Sequence, residues 1–232
     1  MINEEPLSYF LKKEGFNRLN IRKWVPGEKY GAILLKNGNI GVCATLNHPQ
    51  LTDIPETIEL TRISDRIFYQ AYLNAILNYN NHYTETSDIS GKIVFGRYQK
   101  IVMIGWFRTL AEKIGQTRAE LSIFDMDQED ETICPAKQMN EKLQQADAII
   151  LTSTSVMNNT FYDIISQSKE ICDIFTLGPS TLLDRDMFRY RNIRQLFGAV
   201  FRKNDAQLLE MIAQGHGTST FSIRMQKVYL LP

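Results

Sequence analysis

A dense group of hydroxyl and amide side chains lies between residues 152 and 160. The segment contains five hydroxyls and two amides, and such groups bind phosphate, carboxylate or sugar because they both donate and accept hydrogen bonds. It follows the apolar run 148–151, which is typical of a buried parallel strand, and precedes an amphipathic stretch at residues 161–168. Ligands of open α/β sheets bind at the carboxyl ends of strands, and helix starts present free N–H groups. The pattern therefore predicts a binding site here.

Four residues of this segment are the predicted ligand contacts: Thr152, Thr154, Asn158 and Thr160. A second interpretation stays open, in which Asn158 or Asn159 caps the following helix and the hydroxyls only satisfy the turn. The two roles are compatible with each other, because one side chain can hold a turn and still contact a ligand.

Two more turns end predicted strands with residues suited to binding. Gly105 and Trp106 follow a strand at residues 100–104, but the turn lacks the further glycines of a dinucleotide fingerprint. It therefore predicts no NAD site of the usual kind, and Gly105 either cradles a smaller anion or merely allows the turn. Gly178 and Ser180 follow a strand at residues 171–177, and all these turns together would line one crevice.

Asp125 lies 20 residues beyond Gly105, at the end of the next predicted strand. An acid at this distance binds ribose in dinucleotide sites, so Asp125 is counted among the ligand-binding residues. It is also the only well-placed candidate for a general acid or base. The sequence contains no nucleophile elbow, no P-loop and no paired His or Cys motif. The catalytic residues are therefore unknown, and no metal ligands are predicted.

The elements that must position these residues differ between the two halves of the chain. Beyond residue 90, strand-like and helix-like runs alternate, which predicts an α/β domain at residues 91–232 with a Rossmann-like parallel sheet flanked by helices. The predicted strands lie at residues 100–104, 121–125, 148–151, 171–177, 196–201 and 227–231. The predicted helices lie at residues 110–114, 136–144, 161–168 and 206–214.

Residues 1–90 are typical of a small α+β domain. A short opening helix, a strand at residues 21–25 and a β-hairpin that turns at Gly38 precede a long helix at residues 63–79. Gln70, Asn74 and Asn78 form a stripe of amides along that helix. The stripe either faces water or forms hydrogen bonds across an interface with the second half of the chain.

The composition argues against several classes of protein. The 232 residues include 26 basic and 26 acidic side chains, so no overall charge attracts nucleic acid or an anionic membrane. No apolar run approaches the ~18 residues that cross a bilayer, and the N-terminus lacks the pattern of a signal peptide. Three isolated cysteines argue against a disulfide framework and a zinc knuckle. We predict a cytoplasmic protein, and the sequence leaves open whether it forms a homo-oligomer.

Four segments resemble, in the same order, motifs of a family of unknown function that is named for putative heavy-metal chelation. They are residues 102–107, 146–152, 156–160 and 177–180, and residues 196–200 and 212–215 fit the same pattern. Residues 1–90 look like the partner domain common in that family, which has an enolase N-terminal-like fold. The resemblance implies a Rossmann-like domain over residues 90–232 and a ligand cleft between the domains. The family's name and gene neighbourhoods imply a link to metal or corrinoid metabolism.

The leading hypothesis is a protein that binds a small anionic or metal-complexed ligand in the cleft between the two domains. Trp106 would form an apolar wall, while the hydroxyls and helix starts would hold the anion. The alternative is an enzyme, a transferase or a lyase, that acts on a small metabolite in the same cleft. The sequence identifies neither the ligand nor a cofactor.

Overall fold

The first half of the chain forms a small antiparallel sheet covered by one long helix. The computed structural model describes residues 2–83, 89–126 and 130–232. Helix α1 (Pro6–Glu14) comes first, strands β1 (Ile21–Val25), β2 (Tyr30–Leu35) and β3 (Ile40–Ala44) pair in chain order, and α2 (Ile63–Leu77) packs on them. The α+β composition of this half is therefore as the sequence predicts.

Short-range signals set the ends of these first elements. The carboxylate of Glu5 caps α1 by accepting hydrogen bonds from the N–H groups of Leu7 and Ser8, at 3.1 and 2.9 Å. Gly15 ends the helix at a φ of +65°, and Gly38 turns the hairpin between β2 and β3 at a φ of +89°. Both angles lie in the left-handed region that favours glycine.

The second half forms a six-stranded sheet with helices on both faces. Its strands are β4 (Lys100–Ile104), β5 (Glu120–Phe124), β6 (Ala148–Thr152), β7 (Asp173–Leu177), β8 (Ile193–Phe201) and β9 (Met225–Leu230), in the spatial order β5-β4-β6-β7-β8-β9. Its helices are α3 (Arg108–Gly115), α4 (Met139–Gln145), α5 (Thr154–Met157), α6 (Phe161–Gln167), α7 (Ala206–Ala213) and α8 (Thr218–Phe221). Side chains alternate between the two faces of a strand. Accordingly, Ile101 and Met103 belong to the same apolar cluster as α3, whereas Val102 and Ile104 belong to that of α4 and α6.

The last strand departs from the predicted parallel sheet. Strands β4 to β8 are parallel to their neighbours, but β9 pairs antiparallel with β8, with Phe197 opposite Tyr229. Helices α7 and α8 connect these two strands, and the chain re-enters the sheet from the edge at which it left. An antiparallel edge strand on an otherwise parallel sheet is a common arrangement in α/β proteins.

Two apolar clusters join the two halves of the chain. The larger includes Leu7 of α1 and Phe68 of α2 together with Val102 and Leu151 of the large sheet, all of them buried. The second unites strands β2 and β3 with the end of β8 and with helix α7. The two halves therefore share a core instead of meeting at a thin polar contact. The division of the chain at residue 90 stays a prediction.

The amide stripe of α2 is buried and reaches the second half. The side-chain N–H₂ of Gln70 donates to the carbonyl oxygens of Ser153 and Ser180, at 3.1 and 2.7 Å. Asn78 donates to the carbonyl of Thr181 at 3.0 Å and accepts from the N–H of Leu183 at 2.9 Å. Two of the three amides thus bridge the halves. Asn74 differs, since it donates to the carbonyl of Val42 within the first half, at 2.8 Å.

Arg66, on the same helix, forms a second bridge between the halves. Its buried guanidinium donates to the carbonyls of Val156 and Met157, at 2.7 and 2.6 Å, and forms an ion pair with Glu5 at 2.9 Å. These carbonyls belong to the last residues of α5, where helical carbonyl groups have no intrahelical partner. Arg66 therefore ties α1 and α2 to the segment that follows β6.

Two expectations concern the surroundings of the protein. Within residues 2–83, 89–126 and 130–232, no helix combines the length and the apolar character that crossing a membrane requires. The cytoplasmic location and a homo-oligomeric state stay predictions.

The bridging amides predict a large difference between two Asn→Ala substitutions. Asn78→Ala removes the partners of the Leu183 N–H and the Thr181 carbonyl in a buried seam, and we expect a loss of about 1–3 kcal/mol in the free energy of unfolding. Asn140→Ala is the matched control, because Asn140 is exposed on α4, and it should change stability by less than about 0.5 kcal/mol. Urea unfolding followed by circular dichroism measures both, and equal losses would contradict a bridging role.

Candidate functional site

Two predicted turns meet where the strand order of the large sheet reverses. Strand β4 has β5 on one side and β6 on the other, and ligands of open α/β sheets bind at such a switch point, beside the carboxyl ends of the strands. Gly105 follows β4 with a φ of +90°, and a Cβ atom there would lie 2.8 Å from the Cβ of Thr152. The contact is too close for any residue other than glycine, so the turns after β4 and β6 are packed against each other.

Asp125 and Trp106 fix the turn after β4. The backbone N–H of Trp106 donates to Oδ2 of Asp125 at 2.7 Å, and the indole ring lies under the guanidinium of Arg108, 4.7 Å from the ring centroid. This is the geometry of a cation–π contact. The structure thus gives Asp125 and Trp106 a positioning role toward Arg108, and the role of Asp125 as a general acid or base stays a prediction.

The hydroxyl-rich segment after β6 largely forms hydrogen bonds within itself. The hydroxyls of Thr152 and Thr154 lie 2.9 Å apart, and that of Ser155 donates to the Thr152 carbonyl at 2.7 Å. Oδ1 of Asn158 accepts from the N–H and the hydroxyl of Thr160, at 3.2 and 2.7 Å. The predicted helix begins at Phe161 as α6, and a short additional helix, α5, precedes it. The geometry therefore supports a turn-satisfying role for Asn158 and Thr160. The half-buried Thr152 lies beside Gly105, and its hydroxyl contacts that of Thr154.

The turn after β7 sends its two predicted residues in different directions. Gly178 has a φ of +134°, and a Cβ atom there would lie 2.7 Å from Oγ of Ser153, so this turn also packs against the one after β6. Ser180 is 1% exposed, and its hydroxyl accepts a hydrogen bond from the N–H of Ala44 at 2.9 Å. Ser180 therefore closes the seam with β3, whereas the sequence placed it in the wall of a crevice.

A cavity of about 730 Å³ lies at the carboxyl edge of the sheet, on the face that carries α3. Its walls come from α3 and the residue before it, the end of β7, the middle of β8, helix α8 and strand β9. The charged residues among the described walls are all cations: Arg108, Lys113 and Lys227. Five hydroxyl side chains also line it: Ser90, Thr109, Thr218, Ser219 and Ser222. The cavity is thus electropositive and rich in hydrogen-bonding groups. We call it the α3 cavity.

The α3 cavity is lined mainly by the second half of the chain, whereas a cleft between the halves was expected. Ile89 and Ser90 are the lining residues, among those described, that belong to residues 1–90. The seam between the halves is filled instead by Ser180 and the amides of α2. The small sheet of the first half packs behind α8, where Tyr30 lies edge-on against Phe221 with the ring centroids 5.1 Å apart.

Of the residues predicted from the sequence, Gly178 alone lines the described part of this cavity. Gly105, Trp106 and Asp125 do not line it; Trp106 stacks on Arg108, and Asp125 accepts a hydrogen bond from the Trp106 N–H. The cations themselves were missed. The sequence carried a signal for Arg108, which directly follows Gly105, Trp106 and Phe107, but none for Lys227, which enters from the antiparallel strand.

The segments that form this edge of the sheet are also the ones that carry the family resemblance. The family model of DUF364, described as putative heavy-metal chelation, matches residues 92–231. The chain belongs to this family. No curated protein matches the sequence.

Two solved DUF364 structures have the same fold along nearly the whole chain. A protein of unknown function from Pyrococcus horikoshii is 18% identical, with a TM-score of 0.76 over 91% of this chain and 93% of its own. A protein of unknown function from Desulfitobacterium hafniense DCB-2 is 19% identical, with a TM-score of 0.77 over 97% and 98%. At these identities the likeness establishes the fold. An enolase-like character of the first half stays a prediction.

The family's description raises the question of whether these residues could hold a heavy metal. Within the described parts of the chain, no group of three or more His, Cys, Asp or Glu side chains is arranged to hold an ion. Soft metals prefer thiolate ligands, and burial raises the pKa of both Cys43 and Cys172 to about 12. These two thiols therefore stay protonated at neutral pH. The described donor set does not fit a heavy-metal ion bound by the side chains alone.

The three cysteines should accordingly differ in reactivity. Cys43 and Cys172 are 0% and 2% exposed, and Cys134 is half-buried. A raised pKa keeps a thiol neutral below that pKa, and neutral thiols react slowly. At pH 8 we expect Ellman's reagent to modify one thiol per native chain quickly and all three in urea. Cys134→Ser should abolish the fast reaction, and two or more fast thiols in the native protein would contradict the buried state of Cys43 and Cys172.

The close contact between the turns predicts that Gly105 tolerates no side chain. Gly105→Ala would place a methyl group against Thr152 at a positive φ, and we expect a loss of about 2 kcal/mol or more in the free energy of unfolding. Gly96→Ala is the control, because no atom lies within 4 Å of its added Cβ. Thermal unfolding compares the two, and an unchanged midpoint in Gly105→Ala would show that the turns are not in contact.

Proposed function

We propose that this DUF364 protein binds a small anionic ligand in the α3 cavity. The observation that carries the proposal is the charge of the walls, since Arg108, Lys113 and Lys227 line one hollow and no described lining residue is acidic. Such a group of like charges along an open hollow attracts an anion and raises its local concentration.

Two of the cations are held in place before any ligand arrives. Arg108 stacks on Trp106, and the ammonium of Lys113 donates to the hydroxyl of Ser90 at 2.7 Å. A lysine has three N–H donors and an arginine five, so each can still donate to an anion. Because the side chains are already ordered, binding costs less conformational entropy.

Asp130 is the described acid with the clearest influence on Arg108. The two side chains interact electrostatically, but the pKa of Asp130 is lowered mainly by hydrogen bonds from the N–H and hydroxyl of Thr132. Asp130 is exposed and does not line the cavity, so solvent screens its charge. Arg108, Lys113 and Lys227 are exposed as well, so the positive potential that they create in the hollow is also screened by salt.

The metal handling suggested by the family description fits a ligand that brings its own metal. The cavity offers cations and hydroxyls, which recognise the acidic groups of an organic chelator and not a bare cation. On this proposal a metal would enter as part of an anionic complex. Corrinoids are one class of such complexes, and their involvement stays a prediction from the resemblance.

The alternative of a transferase or lyase has no specific support. Oδ2 of Asp125 accepts a hydrogen bond from the backbone N–H of Trp106 at 2.7 Å, and Asp125 does not line the cavity. Binding is therefore the function that the geometry supports best.

Removing one cation should weaken the binding of an inorganic anion. Titration calorimetry with pyrophosphate at low ionic strength measures the affinity. We expect Arg108→Gln and Lys113→Gln each to weaken binding at least about tenfold, which is about 1.4 kcal/mol. The reason is that hydrogen bonds to charged groups are strong. Added salt should also weaken the binding of pyrophosphate by the wild-type protein.

Arg202→Gln is the matched control for this experiment. Arg202 is exposed and lies outside the cavity walls, so its loss lowers the net charge by the same amount and should leave the affinity within about twofold. A control that lost as much affinity as Arg108→Gln would show only a general charge effect. No binding of pyrophosphate by a folded wild-type protein would count against the α3 cavity as an anion site.

A further inference from the structure

We infer that the ligand of the α3 cavity carries a substantial apolar body beside its anionic group, an inference that rests on the proposed function. It names the chemical class of the ligand: an organic phosphate, sulfonate or carboxylate with an aromatic or aliphatic skeleton. The inference rests on the apolar residues of the cavity wall, which the binding of an anion alone does not require.

The size of the cavity already exceeds the needs of an inorganic anion. Its volume is about 730 Å³, and pockets of about 300–1,000 Å³ hold organic ligands of drug size. A lone phosphate ion would occupy a small part of that space and could reach only some of the walls. Three cations spread over α3 and β9 also suit a ligand that extends across the hollow.

Apolar side chains from separate elements converge in the same hollow. Phe107 precedes α3, Leu177 and Pro179 flank the turn after β7, and Met225 begins β9. All four are half-buried, so each leaves apolar surface in the cavity. Phe197 of β8 also borders the hollow, but it is 2% exposed and packs against Tyr229 with the centroids 5.9 Å apart, so the four half-buried side chains supply the uncovered apolar surface.

This incomplete burial is the physical reason for an apolar ligand. Side chains of these types bury their surface when another group can cover them, and a concave apolar surface with a few polar groups is typical of sites for organic ligands. Contact with an apolar body would remove that surface from water, which inorganic anions cannot do. The cations beside it then select for a ligand that is also acidic.

Three probes separate the two parts of such a ligand. They are 1-naphthyl phosphate, which has both parts, inorganic phosphate, which has the anion alone, and 1-naphthol, which has the ring system without the phosphate. Titration calorimetry of the wild-type protein under identical conditions should give 1-naphthyl phosphate at least tenfold tighter binding than either of the others. This comparison needs no variant, so misfolding cannot obscure it.

A matched pair of variants then locates the apolar contact. Met225→Gln keeps the length of the side chain and makes it polar, and it should weaken 1-naphthyl phosphate at least threefold without changing the affinity for phosphate. Ile223→Gln is the control, because Ile223 lies two residues away, is 82% exposed and does not line the cavity. It should change neither affinity.

Each contrary result has a distinct meaning. Inorganic phosphate binding as tightly as 1-naphthyl phosphate would overturn the apolar body and leave the proposed anion site standing. Equal binding of 1-naphthol and 1-naphthyl phosphate would overturn the role of the cations, and with it both proposals. A homodimer that Met225→Gln dissociates would assign the hollow to an interface between copies and would also overturn both.

Discussion

The backbone groups at the carboxyl edge of the large sheet need hydrogen-bond partners wherever a second layer covers them, and helix α2 supplies those partners. Gln70 donates to the carbonyls of Ser153 and Ser180. In the segment that follows β7, Asn78 donates to the carbonyl of Thr181 and accepts from the N–H of Leu183. Unpaired, these buried groups would each cost free energy. The polar side chains on α2 therefore let a predominantly apolar helix cover a sheet edge, and they fix which face of that edge is closed.

This closure explains why the cavity opens on the opposite face. On the side of α2, Ser180 meets Ala44 of β3 and Arg66 holds the end of α5. Strands β2 and β3 of the first half pack on the end of β8, where Val42 shares an apolar cluster with Ala199 and Phe201, and the α3 cavity borders the end of β7 and the middle of β8. The first half of the chain thus shapes the site mainly by filling the space around it, and only Ile89 and Ser90 of residues 1–90 line the described part of the cavity.

Much of the architecture follows from local patterns in the sequence. The alternation of strand-like and helix-like runs located the strands of the large sheet, and Gly38 turned the hairpin as expected. The reversed direction of β9 could not be read in the same way, because direction depends on where α7 and α8 lead the chain and not on the residues of the strand. The amide stripe was visible in the sequence, but its burial depends on contacts more than 80 residues apart.

The candidate site shows the same limit more sharply. Turns after neighbouring parallel strands must meet at one edge. The sequence predicted Gly105, Thr152 and Gly178 from their places at strand ends, on the condition that the strands are neighbours, and the strand order and the contacts at Thr152 and Ser153 agree with that condition. Which turn residues face a ligand depends on which side of the edge is covered. Ser180 turned to the covered side, while Arg108 extends to the open side because Trp106 and Asp125 set its turn.

The chemistry of the open side also bears on what the family's description can mean for this chain. A heavy-metal ion needs soft or anionic donors, yet the cavity walls present positive charge, and the two buried thiols are held neutral by a pKa of about 12. Cationic walls repel a free metal ion and attract the acidic groups of a molecule that chelates one. If this protein handles a metal and the proposed anion site is correct, the bound molecule would coordinate the metal and the protein would recognise that molecule's charge and shape.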